Sequence, residues 1–331
     1  MDARDRLKEG TLRKPTGLGR LFAMLVAALV TVAGVALAAC SSGASSKARS
    51  SASTVVGSSG PGSTAAVDPR IKRVFVIVLE NESGAAAARD PYLAELAGRG
   101  ATLTHYYGVA HPSQPNYVAM IAGAPLVTDD SPHNLPQSNL VDLLETAHRS
   151  WKTYQEDYPG GCFSGTTAGN SRTGIYVRKH DPFISFDDVR TVPARCAKVV
   201  PASELANDIA DGQLPDFSFF SPNLNNDGHD SSLAVASAWL QGFLEPKLAD
   251  PKFADGTLVV VTFDEGTGDP ASQPLYAILL GPMVVKGSVD GTPYTHYSLL
   301  RTVENVLGLG SLGRQDAGSS PFAACNFTTG C

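Results

Sequence analysis

The chain has 331 residues, 18% of them charged and 43% hydrophobic, with a formal net charge of -6. This composition supports a packed core. The negative balance argues against a general nucleic-acid binder, which needs a basic stripe to displace counterions, but it leaves room for a local positive site that takes an anionic substrate.

At the N-terminus, Arg4, Arg6, Lys8, Arg13, Lys14 and Arg20 precede an apolar run from Leu21 to Leu37. A basic stretch followed by a short apolar one is the pattern of an export signal. The run ends in Leu37-Ala38-Ala39-Cys40. Small residues before a cysteine resemble a bacterial lipobox, in which the cysteine is lipidated and becomes the mature N-terminus. Residues 1–39 are therefore expected to be a lipoprotein signal peptide. Lipidated Cys40 is expected to anchor the protein to a membrane outside the cytoplasm; with ordinary cleavage it would be secreted. Residues 40–67 are Ser, Gly and Ala with few apolar side chains. They bury too little surface to offset ordering entropy, which predicts a disordered tether. Residues 68–331 are left as one domain.

The domain opens with a β-branched apolar run, Val74 to Leu79, which predicts a buried parallel strand. Asp90 and Pro91 start a helix that runs through Leu96 to about Gly100. A strand is expected over 101–107, a helix from Pro115 through Ile121, an Asn139-capped helix to Arg149 and a short strand at Trp151–Tyr154. Residues 160–199 have weak periodicity and two cysteines, which predicts an irregular insertion stapled by a disulfide. A helix at 203–209, a strand at 216–220, a helix at 233–244, strands at 258–263 and 275–280, and a last helix at 298–306 complete the domain. Alternating strands and helices imply a three-layer α/β/α fold with a mostly parallel sheet. The even count of Cys162, Cys196, Cys325 and Cys331 implies two disulfides. Three pairings are open, and Cys162–Cys196 with Cys325–Cys331 is expected because each bridge closes a local segment. No C-x-x-C motif is present, so structural zinc is not expected.

In open α/β sheets, ligands bind beyond the carboxyl ends of the strands. Glu80 and Asn81 follow the first strand directly, and Asp264 and Glu265 follow the strand at 258–263. Carboxylates gathered at strand ends suit one hard divalent cation. The loop His111-Pro112-Ser113-Gln114-Pro115-Asn116-Tyr117 leads straight into a helix. A helix start favours phosphate, and a serine held there beside a cation can attack phosphorus. A simple N-cap is the plainer role for such a serine. His111, His229 and His296 could bind phosphate or protonate a leaving oxygen. His105, His133, His148 and His180 are read as hydrogen-bonded structural residues. Asn223 to Gly228 has the oxygen side chains of a calcium loop, but Ala234 stands where that loop needs glutamate, so an EF-hand is rejected.

Taken together, Leu79-Glu80-Asn81, the His111 to Tyr117 loop, the Asn226-Asp227-Gly228-His229 segment and Thr262-Phe263-Asp264-Glu265 resemble the bacterial phosphoesterase family. That family holds secreted acid phosphatases, the actinobacterial ones nearest in likeness, and the non-haemolytic phospholipases C. It belongs to the alkaline phosphatase superfamily. The resemblance spans Arg73 to Leu307 and implies an alkaline phosphatase-like fold. It implies Ser113 as nucleophile and metal ligand, with Glu80, Asn81, Asp264 and Glu265 around the metal. His111, His229 and His296 would bind phosphate or act as acid, and Asp230 would orient a histidine. Glu265 stands where the alkaline phosphatases proper carry histidine, which favours one harder metal over two zincs. The activity implied is hydrolysis of phosphate monoesters through a phosphoserine, on a phosphorylated small molecule or a phospholipid such as a phosphoinositide.

Three rival readings stand beside this one. A phospholipase C-type phosphodiesterase would use the same nucleophile and metal, but the chain is short for one. A sulfatase needs arginine where Tyr117 stands. A non-catalytic surface lipoprotein that only binds a ligand would leave Ser113 and the strand-end carboxylates without a role. No cysteine-phosphatase loop, P-loop or G-x-S-x-G elbow is present.

Overall fold

A computed structural model describes residues 68–328 apart from 171 and 173. The expected signal peptide, Cys40, the tether and Cys331 lie outside the described residues.

The main sheet is built from eight strands: β1 (Arg73–Leu79), β2 (Ala101–Leu103), β3 (Trp151–Gln155), β4 (Val199–Pro201), β5 (Phe217–Ser221), β6 (Thr257–Phe263), β7 (Ala277–Leu280) and β8 (Ser288–Asp290), in the spatial order β8-β2-β7-β6-β1-β5-β3-β4. Neighbours pair in parallel except where β7 meets β6 and β2. The mostly parallel sheet expected from the sequence is therefore present. Side chains along β1 alternate between two cores, as strand geometry demands. Val74, Val76 and Val78 join one cluster, with α2 (Ser113–Ala122), α3 (Leu140–Thr146) and α6 (His296–Leu307) packed on it. Phe75, Ile77 and Leu79 join the other, under α1 (Pro91–Arg99), α4 (Glu204–Ala210) and α5 (Leu233–Leu248). The result is three layers, helix on sheet on helix.

The pairing of β1 with β6 sets Leu79 opposite Phe263. The residues that follow each strand, Glu80 and Asp264, therefore leave the sheet side by side. This register is the structural basis of the site.

Four local expectations are corrected. The strand expected over 101–107 stops at Leu103. The chain turns at Thr104-His105, and Tyr106–Tyr107 pairs instead with Tyr294–Thr295, where Tyr106 buries its ring. The strand expected at 275–280 begins at Ala277, because Leu275 bridges to Ser83 and Tyr106. The helix expected from Pro115 begins at Ser113. The helix expected to reach Arg149 ends at Thr146, and His148 adopts a left-handed conformation (φ 55°) beyond it.

The segment read as irregular carries a hairpin, Thr167–Asn170 with Gly174–Val177, and a 3₁₀ turn, Arg178–His180. The expected Cys162–Cys196 disulfide staples it.

Candidate active site

Ser113 is the first residue of α2, a helix whose ten residues are all buried. The loop before it is clamped by Asn116. The Asn116 side-chain oxygen accepts from the backbone N–H of Val109 (2.8 Å) and Ala110 (3.1 Å), while its amide donates back to the Ala110 carbonyl (2.9 Å). One buried amide thus replaces the regular structure this loop lacks. A cis peptide joins His111 to Pro112.

The Ser113 hydroxyl donates to Glu80 Oε2 at 3.0 Å and lies 3.5 Å from Glu265 Oε1. Asn81 donates its side-chain amide to Glu80 Oε2 (3.0 Å) and its backbone N–H to Asp264 Oδ1 (3.2 Å). Glu80, Asn81, Asp264, Glu265 and Ser113, five residues far apart in sequence, therefore meet at one rim of the sheet, as expected. Burial and the neighbouring Asp264 and Asp227 push the Glu80 carboxyl well above its ordinary pKa. Burial and Glu265 push Asp264 up to about 8.

Glu80 Oε1 and Asp264 Oδ2 are buried without a hydrogen-bond partner. Crowded buried carboxylate oxygens that accept no hydrogen bond are what a hard cation site presents when its protein ligands alone are considered. With the neutral oxygens of Asn81 and Ser113, the donor set fits a divalent cation. Among the described residues no three His, Cys, Asp or Glu side chains stand in ligand geometry together, so the fit rests on two carboxylates and not on a full acidic cage. Glu265, expected as a ligand, gives its Oε2 to His111 Nδ1 at 2.5 Å and keeps Oε1 toward Ser113.

The histidines divide sharply. His111 donates from Nδ1 to Glu265 and from Nε2 to the Gly268 carbonyl (2.7 Å), which requires both ring protons. Burial opposes that charge, but the Gly268 carbonyl and Glu265 outweigh it and raise the pKa. His229 donates from Nδ1 to Asp230 (2.7 Å), and its Nε2 lies 3.2 Å from Lys179 Nζ. Asp230 therefore does orient a histidine. His296 is corrected. It is fully buried, donates from Nε2 to the Asp264 carbonyl (2.5 Å), and accepts at Nδ1 from the Tyr106 hydroxyl (2.9 Å). Burial lowers its pKa to about 4. With both nitrogens used, it braces Asp264 from behind and is not available to protonate a leaving group.

Residues 86–310 match the Phosphoesterase family. The chain belongs to that family. Two of its relatives are a "Probable acid phosphatase" of Kluyveromyces lactis, 41% identical over 255 residues (74% of this chain, 60% of the relative), and a phosphatidylinositol-3-phosphatase of Mycobacterium tuberculosis, 34% identical over 260 residues (76% and 82%). The chain spans about 60% of the length of the Kluyveromyces relative. The phosphoesterase fold extends to a solved structure from Vibrio parahaemolyticus in the alkaline phosphatase superfamily, with a TM-score of 0.53, 14% identity, and coverage of 78% of this chain and 73% of that one.

This phosphoesterase site also holds residues that sequence reasoning missed. His180, read as structural, is buried, donates from Nδ1 to Asp227 (3.1 Å) and sets Nε2 3.0 Å from Glu80 Oε1, without the alignment of a hydrogen bond. Its ring stacks on Tyr117, 4.9 Å between centroids. Burial and the charge of Lys179 push its pKa well below the ordinary value. Lys179 donates to Asp130 Oδ2 (3.0 Å) as well as facing His229. Asp130 also accepts the Gln114 backbone N–H at 2.9 Å, so the start of α2 already carries a carboxylate. The only sequence signal for this group was the basic triplet Arg178-Lys179-His180, inside a segment without periodicity.

Proposed function

We propose that this protein is an exported phosphatase that hydrolyses phosphate monoesters through a phosphoserine on Ser113. The observation that carries the reading is the Ser113 hydroxyl, held at a buried helix start 3.0 Å from Glu80 Oε2, beside two buried carboxylate oxygens, Glu80 Oε1 and Asp264 Oδ2, that accept no hydrogen bond. The names of the fungal relatives, among them an acid phosphatase of Aspergillus fumigatus, support monoester chemistry. The name of the mycobacterial relative supports a phosphoinositide among the substrates. A lipid anchor at Cys40 would bring membrane phospholipids within reach of the site.

Glu80 and Asp264, with Asn81 and Ser113 beside them, would hold one divalent cation. When bound, it supplies positive charge that keeps both carboxylates ionised and neutralises phosphoryl oxygens. The chain's own residues do the rest. Glu80 Oε2 receives the Ser113 proton as Oγ bonds to phosphorus in line with the leaving oxygen. The Lys179–His229 side of the site returns a proton to that oxygen. Water then attacks the phosphoserine and leaves its proton on the same side, while Glu80 gives its proton back to Ser113 Oγ. His111, doubly hydrogen-bonded, holds Glu265 in place and offsets part of the burial that raises its carboxyl.

The test compares wild type with Ser113→Ala on p-nitrophenyl phosphate and bis-p-nitrophenyl phosphate, with and without chelator. Wild type is expected to prefer the monoester, and the variant to lose about 10³-fold or more, as for other nucleophile deletions. Acid quench during turnover should trap phosphate on Ser113. Monoesterase activity retained by the variant would remove the nucleophile assignment. A diester preference would make the protein a phosphodiesterase, and binding without turnover a surface binding lipoprotein.

A further inference from the structure

The carboxylates at this rim are Glu80, Asp227, Asp264 and Glu265, with Asp130 and Asp230 on the flank. A phosphate dianion entering such a place needs protein cations aimed at it. The usual source, the free N–H groups of a helix start, is compromised here because Asp130 already takes the Gln114 N–H. Among the described residues, Lys179 is the lysine or arginine that forms an ion pair with this group; the remaining pairs are made by histidines.

Lys179 is built in and does not trail on the surface. Its side chain is only 17% exposed. The residue before it, Arg178, is locked by the carbonyls of Ser164 (2.9 Å) and His133 and by the Asn134 side chain (2.8 Å). The residue after it, His180, is buried and stacked on Tyr117. With both neighbours fixed, the lysine stem has little freedom, and its ammonium is preorganised.

The hydrogen bonds around His229 decide which group meets the substrate. His229 Nδ1 carries its proton toward Asp230, so Nε2 is the lone-pair nitrogen that faces Lys179 Nζ. A lysine ammonium has three donors and no acceptor. One goes to His229 Nε2, one to Asp130 Oδ2, and the third is uncommitted. The mobile proton on this side of the site thus sits on Lys179, with His229 as its support.

We propose that Lys179 is a further catalytic residue: its Nζ contacts the phosphoryl group and gives a proton to the leaving oxygen, while His229 and Asp130 position it. This rests on the phosphatase reading above. As Ser113 Oγ bonds to phosphorus, the bond to the leaving oxygen breaks and its electron pair goes to that oxygen, which takes a proton from Lys179 Nζ. The amine so formed takes a proton from the water that opens the phosphoserine. The ammonium is thereby restored, and the sum is ester plus water giving alcohol plus phosphate.

A residue that only ties Asp130 to the insertion would slow every substrate alike. A leaving-group acid matters most when the leaving group is poor. The experiment therefore measures kcat/KM for Lys179→Met and Lys179→Arg on p-nitrophenyl phosphate and on glycerol phosphate, with thermal melts as the check on folding. In the Met variant, a loss of about 10²- to 10³-fold is expected on the alkyl ester and less than about tenfold on the aryl ester. Arginine keeps charge but holds its proton too tightly to give it up, so Lys179→Arg should retain KM and lose kcat on the alkyl ester. Inorganic phosphate binding to the Ser113→Ala protein gives a second readout that needs no turnover; adding Lys179→Met should weaken it at least about tenfold.

Equal losses on both esters, or no loss on either, would overturn the proposal, as would phosphate binding that the Met change leaves alone. If instead wild type turns over neither ester, the phosphatase reading has failed on its own account. The phosphate titration then still decides whether Lys179 holds the anion.

Discussion

Asn81 is held at φ 55°, a left-handed conformation that costs a residue with a side chain free energy and that asparagine tolerates better than most. The local structure stays because three contacts depend on it: the backbone N–H on Asp264, the side-chain amide on Glu80, and through Glu80 the Ser113 hydroxyl. Strain of this kind at a strand end is a marker of function when it comes with such contacts. Two substitutions separate the backbone from the amide. Asn81→Gly accepts the conformation, so its stability in urea should stay within about 1 kcal/mol of wild type. Asn81→Ala keeps the strain and loses the hydrogen bond, and should fall by about 1–2 kcal/mol. Both lack the amide that holds Glu80 and should lose activity on p-nitrophenyl phosphate about equally. If the glycine variant remained active, Asn81 would serve the turn alone.

The same scale shows where residue-by-residue reading of the sequence reached its end. Glu80, Asn81, Ser113, Asp264 and Glu265 were legible because each stands within two positions of a strand end or a helix start, and the parallel register brings those ends together. His296 does not take the place expected of it, whereas His180 is the buried, hydrogen-bonded residue expected but stands against Glu80. His296 sits at a helix start, which looks like a ligand position, but Tyr106 and the Asp264 carbonyl take both of its nitrogens. His180 reaches Glu80 across 100 residues of chain through a 3₁₀ turn in the insertion. Nothing in periodicity reports that return.

At the scale of elements, the insertion is what delivers Lys179 and His180, and it has little regular structure to hold it. Its hairpin strands are four residues each, and it is seated on β5 by Ser221 and on the Asn223–Asp230 loop by Leu224 and Asp227. The Cys162–Cys196 bridge spans 34 residues and encloses the whole delivery segment. By loop closure alone such a bridge is worth about 3–4 kcal/mol against opening. The main sheet lies outside the loop, and the core under Phe75, Ile77 and Leu79 holds no residue of the insertion, so opening the loop need not unfold the sheet. In the double variant Cys162→Ala/Cys196→Ala, limited proteolysis should therefore cut within 163–195 before far-UV circular dichroism changes. kcat/KM should fall at least about tenfold in parallel. Full activity in the variant would mean that the packing of Tyr176, Phe183 and Phe186 is enough to hold Lys179 without the bridge. The bridge was readable from cysteine spacing; the hairpin was not, because Thr167–Asn170 is mostly exposed and carries no alternation of apolar residues.

At the scale of the whole molecule, the buried carboxyls give the fold a preference for acid. Burial lifts Asp181 to about 7, and burial together with Asp316 lifts Glu304 to about 8, while Asp264 stands at about 8 in the site. Each of these groups keeps its proton longer when folded than when unfolded. Between the unfolded value, near 4, and the folded one, near 7 to 8, the native state binds more protons, so stability falls as pH rises through that window. The melting temperature is therefore expected to be highest near pH 5 and to decline toward pH 8. Two variants of different origin divide the slope. Glu304 lies on α6, away from the site; its Oε2 accepts from Arg301 and its Oε1 has no hydrogen-bond partner. Glu304→Gln removes the charge at high pH, so it should raise the melting temperature at pH 8 by about 2–4 °C for each kcal/mol relieved and leave pH 5 nearly unchanged. The Asp264 and Glu80 share should respond to a divalent cation instead, because a bound ion favours the ionised carboxylates. Adding such an ion to wild type should flatten the upper part of the slope, and adding it to Asp264→Asn should not. If the ion acts equally on both proteins, the strand-end carboxylates are not where it binds.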